Sequence, residues 1–97
     1  MALVNVLTST MAREANVALP INAGPEIGVA STKAFTSQLT ALAALVIAAG
    51  RTRGAFDKAQ EAELAQALIQ TPRLISEALK FDSDIEAMAF DLSLIHI

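Results

Sequence analysis

The 97-residue chain contains no cysteine, tryptophan or tyrosine, and its single histidine, His96, is the residue before the last one. Without cysteine, this chain cannot carry a disulfide framework, a thiolate metal site or a cysteine nucleophile, and its composition fits a reducing compartment. With one histidine, a histidine-based metal cluster is excluded as well. We therefore expect no metal, no cofactor and a cytoplasmic location.

Positive charge and long apolar runs are scarce too. The formal net charge is −3 and the pI is about 4.9, so the chain lacks the basic surface of nucleic-acid-binding proteins. The longest apolar run, residues 41–49, is shorter than the ~20 residues that cross a membrane. The first residues lack the basic and apolar regions of a signal peptide. We expect neither a nucleic-acid partner nor a membrane partner.

The sequence does contain two short strand-like segments, residues 2–7 and 16–21. The first contains β-branched residues and is apolar on both faces except at Asn5, which is typical of a buried strand in a parallel sheet. Pro20 should lie at the end or edge of its strand, because it has no N–H to donate. Residues 11–15 allow one or two helical turns between the strands. This gap is short for a parallel crossover, so periodicity alone leaves parallel and antiparallel pairing open.

Helical patterns dominate after residue 31. We predict four helices, at residues 32–49, 56–70, 72–81 and 84–90. A hydroxyl of Ser31 or Thr32 should cap the first helix, and Gly50 should end it. The pair Thr71–Pro72 is typical of a helix start, as is the capping-box pattern Ser83–Glu86. The first helix is apolar on nearly all sides, which predicts burial between layers.

The segment AGPEIGVASTKAF, residues 23–35, joins the second strand to the first helix. In α/β folds such a loop can present free N–H groups to an anion or a sugar hydroxyl, here from Val29, Ala30 and Ser31, with the Ser31 hydroxyl beside them. Glu26 would then accept from sugar hydroxyls or orient the loop. The simpler alternative is that glycine and proline make turns and Ser-Thr only caps the helix, and the residues alone leave both open.

The string EIGVASTKAF, with LVNVLTSTMAREANVALPINAG before it and AAGRTRGAF and LIQTPRLISEAL after it, resembles the isomerase part of the glutamine–fructose-6-phosphate aminotransferase family. The resemblance covers residues 2–91. It implies an α/β fold, namely the C-terminal part of a flavodoxin-like SIS (sugar isomerase) domain. Such a domain is an α/β/α sandwich with a parallel sheet, here incomplete and mostly helical after residue 31. It also implies that Val29, Ala30 and Ser31 bind the sugar phosphate, and it assigns no catalytic residue to this chain.

The resemblance further implies a parent enzyme that makes glucosamine 6-phosphate from fructose 6-phosphate and glutamine and assembles as a homo-oligomer. Its phosphate loop would lie upstream and its catalytic residues downstream, so we expect the isolated fragment, a partial SIS domain at residues 1–91, to be inactive. The tail LSLIHI, residues 92–97, resembles a translated sequencing adapter and is treated as unreliable. Three alternatives stay open: a deglycase-like enzyme without a glutaminase domain, a sugar-phosphate-sensing regulator, and a helical interaction protein.

Overall fold

The computed structural model describes residues 1–95, which form two short strands, four α-helices and one 3₁₀ turn. In chain order these are β1 (Ala2–Val4), α1 (Thr10–Glu14), β2 (Ala18–Pro20), α2 (Lys33–Thr52), α3 (Lys58–Ala78), the 3₁₀ turn (Leu79–Phe81) and α4 (Asp82–Ile95). The residues group into two compact units, 1–65 and from 66 onward, and each is described by itself.

The two strands pair in parallel, with Ala2 opposite Ala18 and Val4 opposite Pro20. This confirms the parallel arrangement that the family resemblance implied. The Ile21 N–H donates to the Val4 carbonyl at 3.0 Å, so the ladder continues past Pro20, which lies at the end of β2 as predicted. Both strands are shorter than predicted, and β1 ends at Val4 because the chain bends at Asn5.

The crossover between the strands is short because α1 has only five residues. Ser9 caps it: its backbone is extended and its Oγ accepts from the Ala12 N–H at 3.3 Å. The predicted helical turn is confirmed, and it begins at Thr10, one residue earlier than expected.

The end of α2 differs from the prediction. The helix continues through Gly50, and the residue in the left-handed region is Gly54, with φ of 74°. The Ala55 N–H donates to the Gly50 carbonyl at 2.8 Å, and the Gly54 N–H donates to the Arg51 carbonyl at 3.2 Å. These are the two hydrogen bonds of a Schellman motif, in which the positive φ belongs to the residue after the C-cap. Gly50 is therefore not the helix terminator.

The start and length of α3 also differ from the prediction. Asp57 Oδ1 accepts from the Gln60 N–H at 2.8 Å, and Gln60 Oε1 accepts from the Asp57 N–H at 3.0 Å, which is a capping box that the sequence analysis missed. The helix then continues through Pro72, where we predicted a new start. The Thr71 hydroxyl donates back to the Ala67 carbonyl at 3.1 Å, so it does not act as an N-cap.

In the second unit the 3₁₀ turn leads directly into α4. The predicted capping box at residues 83–86 opens no helix, because Ser83 already lies inside α4 and the Asp82 N–H donates to the Leu79 carbonyl of the turn. The helix also extends beyond the predicted end at Phe90. Residues 96–97 of the predicted unreliable tail lie outside the described residues, so that interpretation of the tail stays a prediction.

Burial, described for residues 1–93, is slight. Val4, 6% exposed, is the one buried hydrophobic residue in that range. The prediction that α2 is buried is wrong for this chain, because the two-stranded sheet offers no layer that covers its apolar sides. The length and apolar composition of α2 are sufficient for a helix that crosses a membrane. Core helices of soluble proteins meet the same two criteria.

Candidate functional site

The loop of residues 21–32 connects the end of β2 to the start of α2. Two of its residues are left-handed, Asn22 with φ of 52° and Gly24 with φ of 72°. A glycine adopts this conformation without a steric penalty, and asparagine tolerates it better than most residues.

Asn5 fixes the first part of this loop. Its Oδ1 accepts from the Ala23 N–H at 3.0 Å, and its Nδ2 donates to the Gly24 carbonyl at 2.6 Å. The side-chain amide therefore takes the place of the next pair of backbone hydrogen bonds between the strands, just beyond the end of β1 and β2. The sequence signal for this role was the single polar residue in an apolar run, which we noted without assigning it a function.

Glu26 fixes the second part of the loop. Its Oε1 accepts from the Thr32 hydroxyl at 3.1 Å, and its Oε2 accepts from the Ala34 N–H at 3.0 Å in the first turn of α2. Thr32 is the N-cap residue, but its side chain makes no capping hydrogen bond. The prediction that a Ser31 or Thr32 hydroxyl caps α2 is therefore wrong, because the Glu26 carboxylate is the stronger acceptor and takes this place. Of the two roles predicted for Glu26, orientation of the loop is confirmed.

The Glu26 carboxylate gives the start of α2 a negative charge. The Ala34 N–H, and to a lesser extent the Thr32 hydroxyl, hold the pKa of Glu26 below its usual value of 4.5. The Lys33 ammonium adds a smaller effect in the same direction. A helix N-terminus attracts anions, but here a carboxylate already occupies it. A phosphate at the same N–H groups would meet a like charge, so this helix end is better suited to neutral hydroxyls.

The predicted binding residues lie between these two fixed points. Val29, Ala30 and Ser31 form an exposed bend immediately before α2, and Val29 is fully exposed. Within the part of the chain that the structure describes, their N–H groups and the Ser31 hydroxyl donate no hydrogen bond. The structure thus places these three consecutive residues on the surface beside the start of α2. Their binding of a substrate stays a prediction.

The acidic side chains of the described residues do not form a metal site. Among residues 1–95, no cluster of three His, Asp or Glu side chains has the proximity that a metal ion requires. Asp57 and Glu61 belong to the start of α3, where Asp57 takes part in the capping box and Glu61 accepts from Arg51 Nε at 3.2 Å. These contacts stabilise the helix start and link it to the end of α2.

Comparison with known proteins identifies the segment that contains the loop. The family model of the SIS domain matches residues 1–48, which include both strands, the loop and most of α2. The predicted fold class, a partial α/β SIS domain with parallel strands that is mostly helical afterwards, is thereby confirmed.

Curated relatives extend the similarity beyond the SIS match. The chain is 54% identical over 92 residues to proteins from Brucella abortus and from Mesorhizobium japonicum, and 51% identical over 90 residues to one from Caulobacter vibrioides. Each is named glutamine–fructose-6-phosphate aminotransferase [isomerizing]. The alignments cover 93–95% of this chain and 15% of each relative, so the chain spans about a seventh of the length of the relatives it matches. No solved structure matches the chain. The family resemblance in the sequence is confirmed by these relatives.

Proposed function

We propose that this SIS segment belongs to the isomerase part of a glutamine–fructose-6-phosphate aminotransferase, and that its loop forms one wall of the site for fructose 6-phosphate or a related sugar phosphate. The observation that carries the proposal is the 54% identity over 92 residues to enzymes of that name. The parent enzyme would make glucosamine 6-phosphate from fructose 6-phosphate and glutamine. We also propose that it is cytoplasmic, which the absence of cysteine fits, and that it is a homo-oligomer, as the resemblance implies.

The loop would contribute hydrogen bonds to the sugar. Val29, Ala30 and Ser31 are exposed and consecutive, so their backbone N–H groups and the Ser31 hydroxyl are available to hydroxyl or carbonyl oxygens of a ligand. The Glu26 carboxylate at the start of α2 favours the uncharged part of the ligand here over its phosphate. The segment would therefore orient the sugar, and the phosphate would be held by residues outside this chain.

The chain would contribute no proton-transferring group. Conversion of a ketose to an aldose needs an acid and a base within hydrogen-bond reach of the sugar. Near the proposed site, both carboxylate oxygens of Glu26 already accept hydrogen bonds from Thr32 and Ala34. Catalysis in the parent enzyme would accordingly come from other segments, so we expect the isolated chain to be inactive.

A chimeric enzyme tests this proposal. The segment of this chain that matches the Brucella suis aminotransferase, 54% identical over 92 residues, would replace its counterpart in that enzyme. We expect this chimera to form glucosamine 6-phosphate from fructose 6-phosphate and glutamine. A folded chimera with the host's oligomeric state that neither makes product nor binds fructose 6-phosphate would refute the proposal.

Substitution of Ser31 then tests the site itself. In the chimera, Ser31→Ala should raise the KM for fructose 6-phosphate about tenfold, the effect of losing a hydrogen bond of about 1.4 kcal/mol. The matched control is Ser76→Ala, because Ser76 is an exposed serine in α3 that lies outside the loop. Equal KM values for fructose 6-phosphate in the two variants would show that Ser31 does not contribute to sugar binding.

A further inference from the structure

Two side chains from outside the bend hold the loop at both of its ends. Asn5 bonds to residues 23 and 24, which lie 18 and 19 positions later in the chain. Glu26 bonds to residues 32 and 34, six and eight positions later. The bend that contains Val29, Ala30 and Ser31 lies between these attachments. We propose that Asn5 and Glu26 are positioning residues, which hold this bend in the conformation that binds the sugar, an inference that rests on the proposed function.

Asn5 ties the loop to the sheet. The Ile21 N–H donates to the Val4 carbonyl at 3.0 Å, and the next pair of hydrogen bonds after it is made by the Asn5 side chain. Val4 is the buried hydrophobic residue of this unit, so Asn5 follows the best-anchored position of β1. The amide uses an acceptor and a donor at once, which fixes both the position and the direction of the loop as it leaves β2.

Glu26 closes the bend against α2. Its two oxygens bond to a side chain and a backbone group on the far side of the bend, so residues 27–31 form a short closed segment. These residues are exposed, and the packing around them is too slight to define one conformation. Without the carboxylate the backbone would sample many conformations, and the ligand would have to order it on binding. Loss of this contact should therefore weaken binding and leave the chemical step unchanged.

The geometry also distinguishes positioning from catalysis for Glu26. In Glu26→Gln, the amide oxygen can accept from the Ala34 N–H, and the amide nitrogen can donate to Thr32 Oγ1, which accepts as well as donates. The bridge is then retained without a charge or a titratable proton. A positioning role predicts that glutamine substitutes for Glu26, whereas a proton-transfer role predicts that it does not.

The test uses the chimera with Asn5→Ala, Glu26→Ala and Glu26→Gln. We expect both alanine variants to raise the KM for fructose 6-phosphate about tenfold, with kcat within about twofold of the unsubstituted chimera. Glu26→Gln should have a KM within about threefold of it. The matched controls are Glu14→Ala and Asn16→Ala, because both residues are exposed and lie before the loop, and neither should change KM.

The outcomes separate this inference from the proposed function. If the unsubstituted chimera folds but neither binds nor converts fructose 6-phosphate, the proposed function fails, and the inference fails with it. If that chimera is active but the alanine variants keep its KM, the inference alone is overturned, even where their melting temperatures fall. If Glu26→Gln and Glu26→Ala both lower kcat well beyond the expected twofold limit, the carboxylate acts on the reaction, which also overturns the positioning role.

Discussion

The ring of Phe56 lies against the backbone of Gly50 in the last turns of α2. A Cβ atom at position 50 would come within 2.5 Å of ring Cδ2 and 3.1 Å of Cζ, and closer still to Cε2. The Phe56 N–H also donates to the Gly50 carbonyl at 3.2 Å. Glycine inside a helix costs about 1 kcal/mol relative to alanine. Contact with the ring explains why position 50 nevertheless suits glycine.

Gly50→Ala should therefore destabilise the end of α2. We expect the substitution to cost about 1–3 kcal/mol, because Phe56 must move or its turn must open. The measurement is hydrogen exchange of the Ala55 and Phe56 amides in the chimera, both of which donate to the Gly50 carbonyl. In a Phe56→Ala background the cost should vanish, and alanine should stabilise the helix by up to about 1 kcal/mol. The same cost in both backgrounds would contradict the steric explanation.

Gly54 differs from Gly50 because its constraint lies in the backbone. No atom lies within 4 Å of a Cβ built at this position, but its φ is 74°. Gly54→Ala should cost about 1–2 kcal/mol through left-handed strain, and Gly54→Asn should cost less. Hydrogen exchange of the same amides measures this cost, and the Phe56→Ala background should leave it unchanged. A rescue by that background would show that position 54 is limited by packing after all.

The Glu26 bridge should make the loop sensitive to acid. Its folded-state pKa is lowered from 4.5, chiefly by the Ala34 N–H, so the ionised carboxylate is favoured by folding. This contribution is complete above about pH 4.5 and is lost as the pH falls through the lowered folded-state pKa. NMR titration of the Glu26 carboxyl carbon should give a midpoint below 4.5. A midpoint at or above 4.5 would contradict the bridge, and Thr32→Val should move the midpoint upward.

The position of the loop was predictable, but the groups that hold it were not. Glycine, proline and a Ser-Thr pair before an apolar run indicate a turn and a helix start, and residues 21–32 form that loop. Ser31 and Thr32 satisfied the sequence rule for a cap, yet Glu26, eight residues before Ala34, makes the capping bond. Asn5 is more distant still from its partners. Contacts at such separations depend on how the chain folds back, which one-dimensional patterns do not encode.

Helix ends were less predictable than helices for a related reason. Gly50 and Gly54 are both plausible terminators, and only the observed φ values distinguish them. The pair Thr71–Pro72 has the composition of a helix start, but it lies inside α3. The helix continues there although Pro72 has no N–H to donate. Asp57 and Gln60 form a capping box with the spacing that we sought only at residues 83–86. In each case several sites satisfy the local rule, and the tertiary or helical context selects one.

The exposed apolar surface leads to a prediction for the chain alone. Among residues 1–93, whose burial the structure describes, only Val4 is a buried hydrophobic residue, while large side chains such as Phe35, Phe81 and Phe90 are more than half exposed. Folding of a small domain depends on burial of apolar area, so these residues cannot support a cooperative core. The 97-residue chain should therefore be helical by far-ultraviolet circular dichroism, melt over a broad range, bind ANS and make no product. A sharp melt with equal calorimetric and van't Hoff enthalpies would contradict this prediction.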